Sequence, residues 1–145
     1  MGTQILTSKI QELKETAYKI QVELDEAREK ISMYEKILTY VCSTERCVAL
    51  MSKFREDLNL LDDQGLIDRL GEVHEKHESW NHVFTGAREQ VSNLIDSIID
   101  NDVHPDYTSP EEQEISYNEL QFFREYQTVI EEIEIELEKR TKSSN

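Results

Sequence analysis

From Leu6 onward, apolar residues recur at alternating steps of four and three for five consecutive heptads: Leu6, Ile10, Leu13, Ala17, Ile20, Leu24, Ala27, Ile31, Tyr34, Leu38, Val41. A mean spacing of about 3.5 residues keeps one seam of a helix facing a neighbouring helix, and a strand, with its period of two, has no use for it. A second unbroken run follows: Leu66, Leu70, Val73, His77, Trp80, Phe84, Ala87, Val91, Leu94, Ile98. Two such runs confine the chain to helices that pack on helices. Only 4 Gly and 2 Pro punctuate the 145 residues, too few for a sheet joined by hairpins.

The charge is strongly asymmetric. Residues 1–60 hold 9 Lys or Arg against 10 Asp or Glu, whereas residues 61–145 hold 7 against 21, so nearly all of the net charge of -15 sits in the later part. Such a surface repels phosphate backbones and anionic membranes, which excludes nucleic acid as an expected partner. No apolar run is long enough to span a bilayer, and the N-terminus lacks the basic-then-apolar layout of a secretory signal. Cys42 and Cys47 form no CxxC pair and fit a reducing compartment. A soluble, cytoplasmic protein is the expectation.

Along the chain, the first helix is expected to begin near Thr3. Residues 1–42 form a coiled-coil extension continuous with helix 1 of a bundle over residues 43–140, whose helices cover about 43–61, 66–100 and 110–140, before a frayed tail at 141–145. Past position 42 the stripe widens to Cys47, Leu50, Met51, Phe54, Leu58 and Leu61, as a helix touching two neighbours requires. Gly65 suits a left-handed position that ends the first helix. The segment Asn101–Ser109 reads as a connector, closed by Ser109 as N-cap, Pro110 at the first helical position and Glu112 in a capping box. Ile115, Phe122, Phe123, Tyr126, Val129, Ile130, Ile133 and Leu137 are expected to face inward from the third helix. The fold class is all-α, an elongated antiparallel three-helix bundle with a long N-terminal coiled-coil helix.

The stretch Leu66-Ile67-Asp68-Arg69-Leu70-Gly71-Glu72-Val73-His74-Glu75-Lys76-His77-Glu78, the connector motif His104-Pro105-Asp106 and the succession of three helices over about residues 31–140 resemble a spectrin repeat. The resemblance implies a spacer or tether in a cytoskeletal or nuclear-envelope rod. The chain departs from the family pattern in having no tryptophan near Val41–Leu50. It has Phe122, Phe123 and Tyr126 where the third helix of a repeat carries one.

Catalytic signatures are missing. His74 and His77 are three residues apart, not the four of HExxH, and His77 falls on the helical seam, where a neutral core ring is expected rather than a metal ligand. No glycine-rich phosphate loop, nucleophile elbow or paired catalytic carboxylates can be placed, so neither a cofactor nor a small-molecule substrate nor enzymatic activity is expected. The acidic run Glu131, Glu132, Glu134, Glu136, Glu138 offers a docking face for a basic protein, or a solvated helix face. The expected function is that of a non-catalytic scaffold or interaction subunit whose seam, Leu6 to Val41, pairs with a helical partner or a second copy. With Ile10 at position a, the parallel g–e′ pairs are Lys9–Lys14, Thr16–Gln21, Glu23–Arg28 and Lys30–Glu35, which permit a homodimer.

Overall fold

The computed structural model of the chain describes residues 2–98 and 109–143, and among them it contains helices and no strand. Helix α1 spans Gly2–Lys53, α2 spans Asp63–Ile98 and α3 spans Pro110–Ser143, with a 3-10 turn at Leu58–Leu60 between the first two. The chain divides into two compact units, one ending at Lys36 and the other beginning at Ile37.

Within the first unit, residues 2–36 form a single helix about 50 Å long. Every residue from Gly2 to Ser32 is exposed. The second unit is a three-helix bundle. Asp63 pairs with Arg140, His74 meets Tyr126, and Arg88 pairs with Glu112, so α2 and α3 run antiparallel. Ile37, Tyr40 and Val41 share a core with Val91, Ile95 and Ile115, whereas Met51 joins Leu66, Val73, Phe122, Val129 and Ile133. The last turns of α1 are therefore antiparallel to α2 and parallel to α3. All ten residues of the Leu66–Ile98 run are buried or half-buried, as an interior stripe should be.

Helix α1 passes through residues 42–46 without a break. This agrees with the continuous helix expected there, and the Thr44 hydroxyl donates to the Val41 carbonyl at 2.7 Å within it. The helix ends at Lys53, short of the expected 61, and Gly65 has no part in ending it. The left-handed residue is Asp57 (φ 57°), which tolerates that region better than most side chains do. Gly65 instead lies in the first turn of α2, where Asp62 acts as N-cap and its carboxylate accepts the Gly65 N–H at 2.7 Å. The carbonyls at the end of α1 are taken up locally, Met51, Ser52 and Lys53 accepting the N–H groups of Phe54, Arg55 and Glu56, and two distant arginines hold the turn that follows. Arg69 donates to the carbonyls of Phe54 and Glu56, and Arg140 to those of Leu58 and Asn59.

The start of α3 follows the capping rule. Ser109 is buried, its hydroxyl accepts the Glu112 N–H at 3.1 Å, and its carbonyl accepts the Gln113 N–H. The Glu112 carboxylate is drawn to Arg88 of α2. Ser109→Ala is expected to lower the stability of the bundle by about 1 kcal/mol, read as a shift in the urea midpoint with unchanged slope; an unaltered midpoint would remove the cap from the account. At the other end, Thr141–Ser143 extend the helix where a frayed tail was expected, the Thr141 and Ser143 hydroxyls donating to the carbonyls of Leu137 and Lys139. The motif His104-Pro105-Asp106, residues 99–100 of the expected second helix and the end of the tail lie outside the described residues.

Candidate functional site

The seam read from the heptads is present on α1 and nearly all of it faces solvent. Leu6, Ile10, Leu13, Ala17, Ile20, Leu24, Ala27, Ile31, Tyr34 and Leu38 are exposed, with Leu13 at 70% and Leu6 at 64%. Val41 is the exception, only 7% exposed in the core with Ile95 and Ile115. Ile37, Tyr40 and Val41 turn toward α2 and α3 of their own unit, whose core they share. The uncovered seam that belongs to the first unit is thus Leu6 to Tyr34.

Residues flanking that seam carry its charges. Lys9, Lys14, Glu23, Arg28, Lys30 and Glu35 are all exposed, so none is committed to a packed core. The seam itself holds no ionisable group except the Tyr34 phenol. What it can do chemically is bury apolar area against a matching helix. Ile5, Tyr18 and Val22 are also exposed apolar residues, off the heptad stripe, and the stripe alone does not point to them.

The acidic face on α3 is more occupied than the sequence suggests. Arg55, beyond the end of α1, forms a two-pronged bond to Glu132 at 2.7 and 3.0 Å and another bond to Glu125 at 3.2 Å. These hydrogen bonds hold the Arg55 guanidinium above its ordinary range. Glu136 pairs with Arg140 and Glu138 with Lys142; Glu131, Glu134 and Glu138 are the exposed members of this run, and Glu138 already has its cation. A second network, centred on Arg88, joins Glu112, Glu119 and Ser92. Nothing in the linear pattern marks either arginine, because both networks close across helices far apart in sequence.

The histidines meet aromatic rings. His77 stacks on Tyr126 with ring centroids 3.6 Å apart and on Phe122 at 5.3 Å, while His74 Nδ1 is hydrogen-bonded to the Tyr126 hydroxyl at 2.7 Å. Among the described residues no three His, Cys, Asp or Glu groups converge as a metal site would need. Burial, with a smaller contribution from His74, pushes the His77 imidazole below the ordinary histidine value of 6.5. The folded state therefore binds fewer protons than the unfolded chain. Stability from this ring is full above about pH 6.5 and declines as pH falls through that value toward the lower folded one. His77→Gln is expected to flatten the stability profile between about pH 7 and pH 5. An unchanged slope in urea titrations over that interval would sink this assignment.

Phe123, expected to point inward, is 46% exposed, whereas its neighbour Phe122 is 5% exposed and touches His77, Trp80 and Phe84. Successive helical residues are about 100° apart, so the two rings cannot share one core position. Tyr40 is buried with no hydrogen-bond partner for its hydroxyl among the described residues, and burial together with the Glu119 charge pushes its pKa up to about 12. Cys47 packs half-buried against the core as a small apolar residue, burial raising its thiol pKa, and Cys42 is exposed; both are free thiols. No described helix is long and apolar enough to cross a membrane. In comparisons with known proteins, no family model matches the chain, and neither does any curated protein or solved structure.

Proposed function

We propose that the chain is a non-catalytic helix-pairing subunit. Residues 2–36 lay the Leu6–Tyr34 seam against a helical partner, and residues 37–143 form a separate folded body attached to it. The observation that carries this reading is the exposed seam. Seven large side chains (Leu6, Ile10, Leu13, Ile20, Leu24, Ile31, Tyr34) are exposed on one heptad stripe, with relative exposures of 41–70%.

Magnitudes favour association. Covering a side chain that is about half exposed recovers on the order of 1 kcal/mol, so the seven supply ~7 kcal/mol per chain and ~14 kcal/mol when a similar seam faces them. Loss of translational and rotational freedom costs roughly 4–15 kcal/mol, which leaves association in the micromolar range or tighter within reach. In proteins, moreover, most of a helix's stability comes from packing of its apolar face rather than from propensity, so covering the seam also stabilises the helix. Light scattering behind size exclusion, together with helicity measured by circular dichroism from about 1 to 100 μM, tests the reading. Mass and helicity that rise together with concentration, or on adding a captured partner, support it. A monomer whose residues 2–36 are fully helical without any partner contradicts it.

A second reading, a spacer in a rod of spectrin-like three-helix repeats of the cytoskeleton or nuclear envelope, draws on the order of the three helices and on the unbroken passage of α1 into the bundle. It predicts a monomer in which residues 2–36 become stably helical only when a further repeat is fused ahead of them. A third reading, an acidic adaptor for a basic protein, rests on Glu131 and Glu134. It predicts binding that weakens steeply with salt.

A further inference from the structure

From the charges that flank the seam, we infer that the helix received by residues 2–36 is the same segment of a second copy, parallel and in register. This rests on the helix-pairing reading and adds partner and orientation to it. With Ile10 at a, the a positions are Ile10, Ala17, Leu24 and Ile31, and the d positions are Leu6, Leu13, Ile20, Ala27 and Tyr34. Ile10 at a between Leu6 and Leu13 at d is the arrangement that favours two parallel strands, whereas Ile20 at d beside Leu24 at a is the one that shifts toward more strands, so the core residues do not choose the partner and the flanking charges must.

The flanking charges separate the orientations. In the parallel dimer Glu23 faces Arg28′ and Lys30 faces Glu35′, each pair occurring twice by symmetry, against one repulsive pair, Lys9–Lys14′. Two antiparallel registers also keep most of the seam covered. One sets Leu13 against Leu24′ and brings Lys9 to Lys30′. The other sets Leu13 against Ile31′ and brings Lys14 to Arg28′ and Glu23 to Glu23′. Neither contains an attractive e–e′ or g–g′ pair. A like-charge pair costs about what an unlike pair contributes, so the charges favour the parallel register over both of these.

The core of the second unit sets the limit of the zipper. Ile37, Tyr40 and Val41 are committed to the bundle, so an antiparallel register that pairs Ile10 with Val41′ loses that layer and leaves Leu6 and Ile10 uncovered, which the parallel register does not. That register was the remaining one with two attractive flanking pairs, Lys14–Glu35′ and Glu23–Lys30′, over a long overlap.

Disulfide trapping in the full chain decides the matter. Thr3 is an a position, so Thr3→Cys in a Cys42→Ser background places two thiols within bonding reach in the parallel dimer and more than ~40 Å apart in either full-length antiparallel one. Mild oxidation is expected to convert a dimer, established beforehand by light scattering, into a covalent dimer. Arg28→Glu is expected to weaken dimerisation about tenfold at low salt, and Glu23→Arg added to it to restore the affinity. A dimer that does not cross-link, or that Arg28→Glu leaves unchanged or tightens, overturns the parallel register while helix pairing stands. A monomer at 100 μM that becomes helical over residues 2–36 on binding another protein overturns self-pairing alone. A trimer or tetramer overturns the two-stranded arrangement.

Discussion

Replacing Leu13 and Leu24 together by aspartate abolishes association through the seam at micromolar concentrations and leaves the unfolding of the bundle unchanged. Both leucines sit in the middle of the stripe and neither touches the second unit's core. Each substitution forfeits about 1 kcal/mol of burial and asks the interface to desolvate a carboxylate as well. Two such changes per chain exceed the margin by which the seam outweighs the cost of association. The readout is the mass from light scattering, paired with a thermal melt of the full chain. A variant that stays associated sinks the seam as the docking surface. A variant that loses the bundle's own melting transition contradicts the division at Lys36 and Ile37.

Phe122→Ala lowers the stability of the bundle by about 3–5 kcal/mol, the range for emptying a packed aromatic site. Phe122 is 5% exposed, belongs to the larger core cluster and contacts rings on α2 along much of their length. Against a total of roughly 5–15 kcal/mol for a domain, that loss removes a large share and lowers the melting temperature by some 10–20 °C. The adjacent Phe123→Ala is expected to cost within about 1 kcal/mol, because half of that ring already lies in water. Equal losses at the two positions would mean that the facing of α3 is wrong. Thermal melts of the two single variants, side by side, are sufficient.

The pair shows where a pattern stops being informative. Both phenylalanines fall within an apolar arc wide enough for a helix packing on two neighbours, and the arc alone admits either. Only the position of α2 selects Phe122 for the core. The end of α1 is a similar case. Leu58 and Leu61 continue the apolar spacing past Lys53, so the periodicity runs on where the helix does not. The carbonyls of the turn that follows need donors, and here the donors, Arg69 and Arg140, come from other helices. No local signal encodes that meeting. The start of α3 is the opposite case: Ser109 and Pro110 are local signals, and the N-cap forms as they indicate.

Helix as the only regular structure among the described residues, the positions of the stripes, the cap of α3 and the charges beside the first seam were all settled by the order of residues. Each depends on neighbours within a turn or two, where spacing and side-chain type decide the outcome. Whether a stripe is covered is a different kind of property. The runs Leu6–Val41 and Leu66–Ile98 obey the same four-and-three rhythm, yet the second lies in the bundle and the first stands in water as far as Tyr34. That difference belongs to the tertiary structure, because burial is a relation between elements. α2 has the last turns of α1 and α3 to pack against, and residues 2–36 make a unit of one helix, which among the described residues contains no second element to cover its seam.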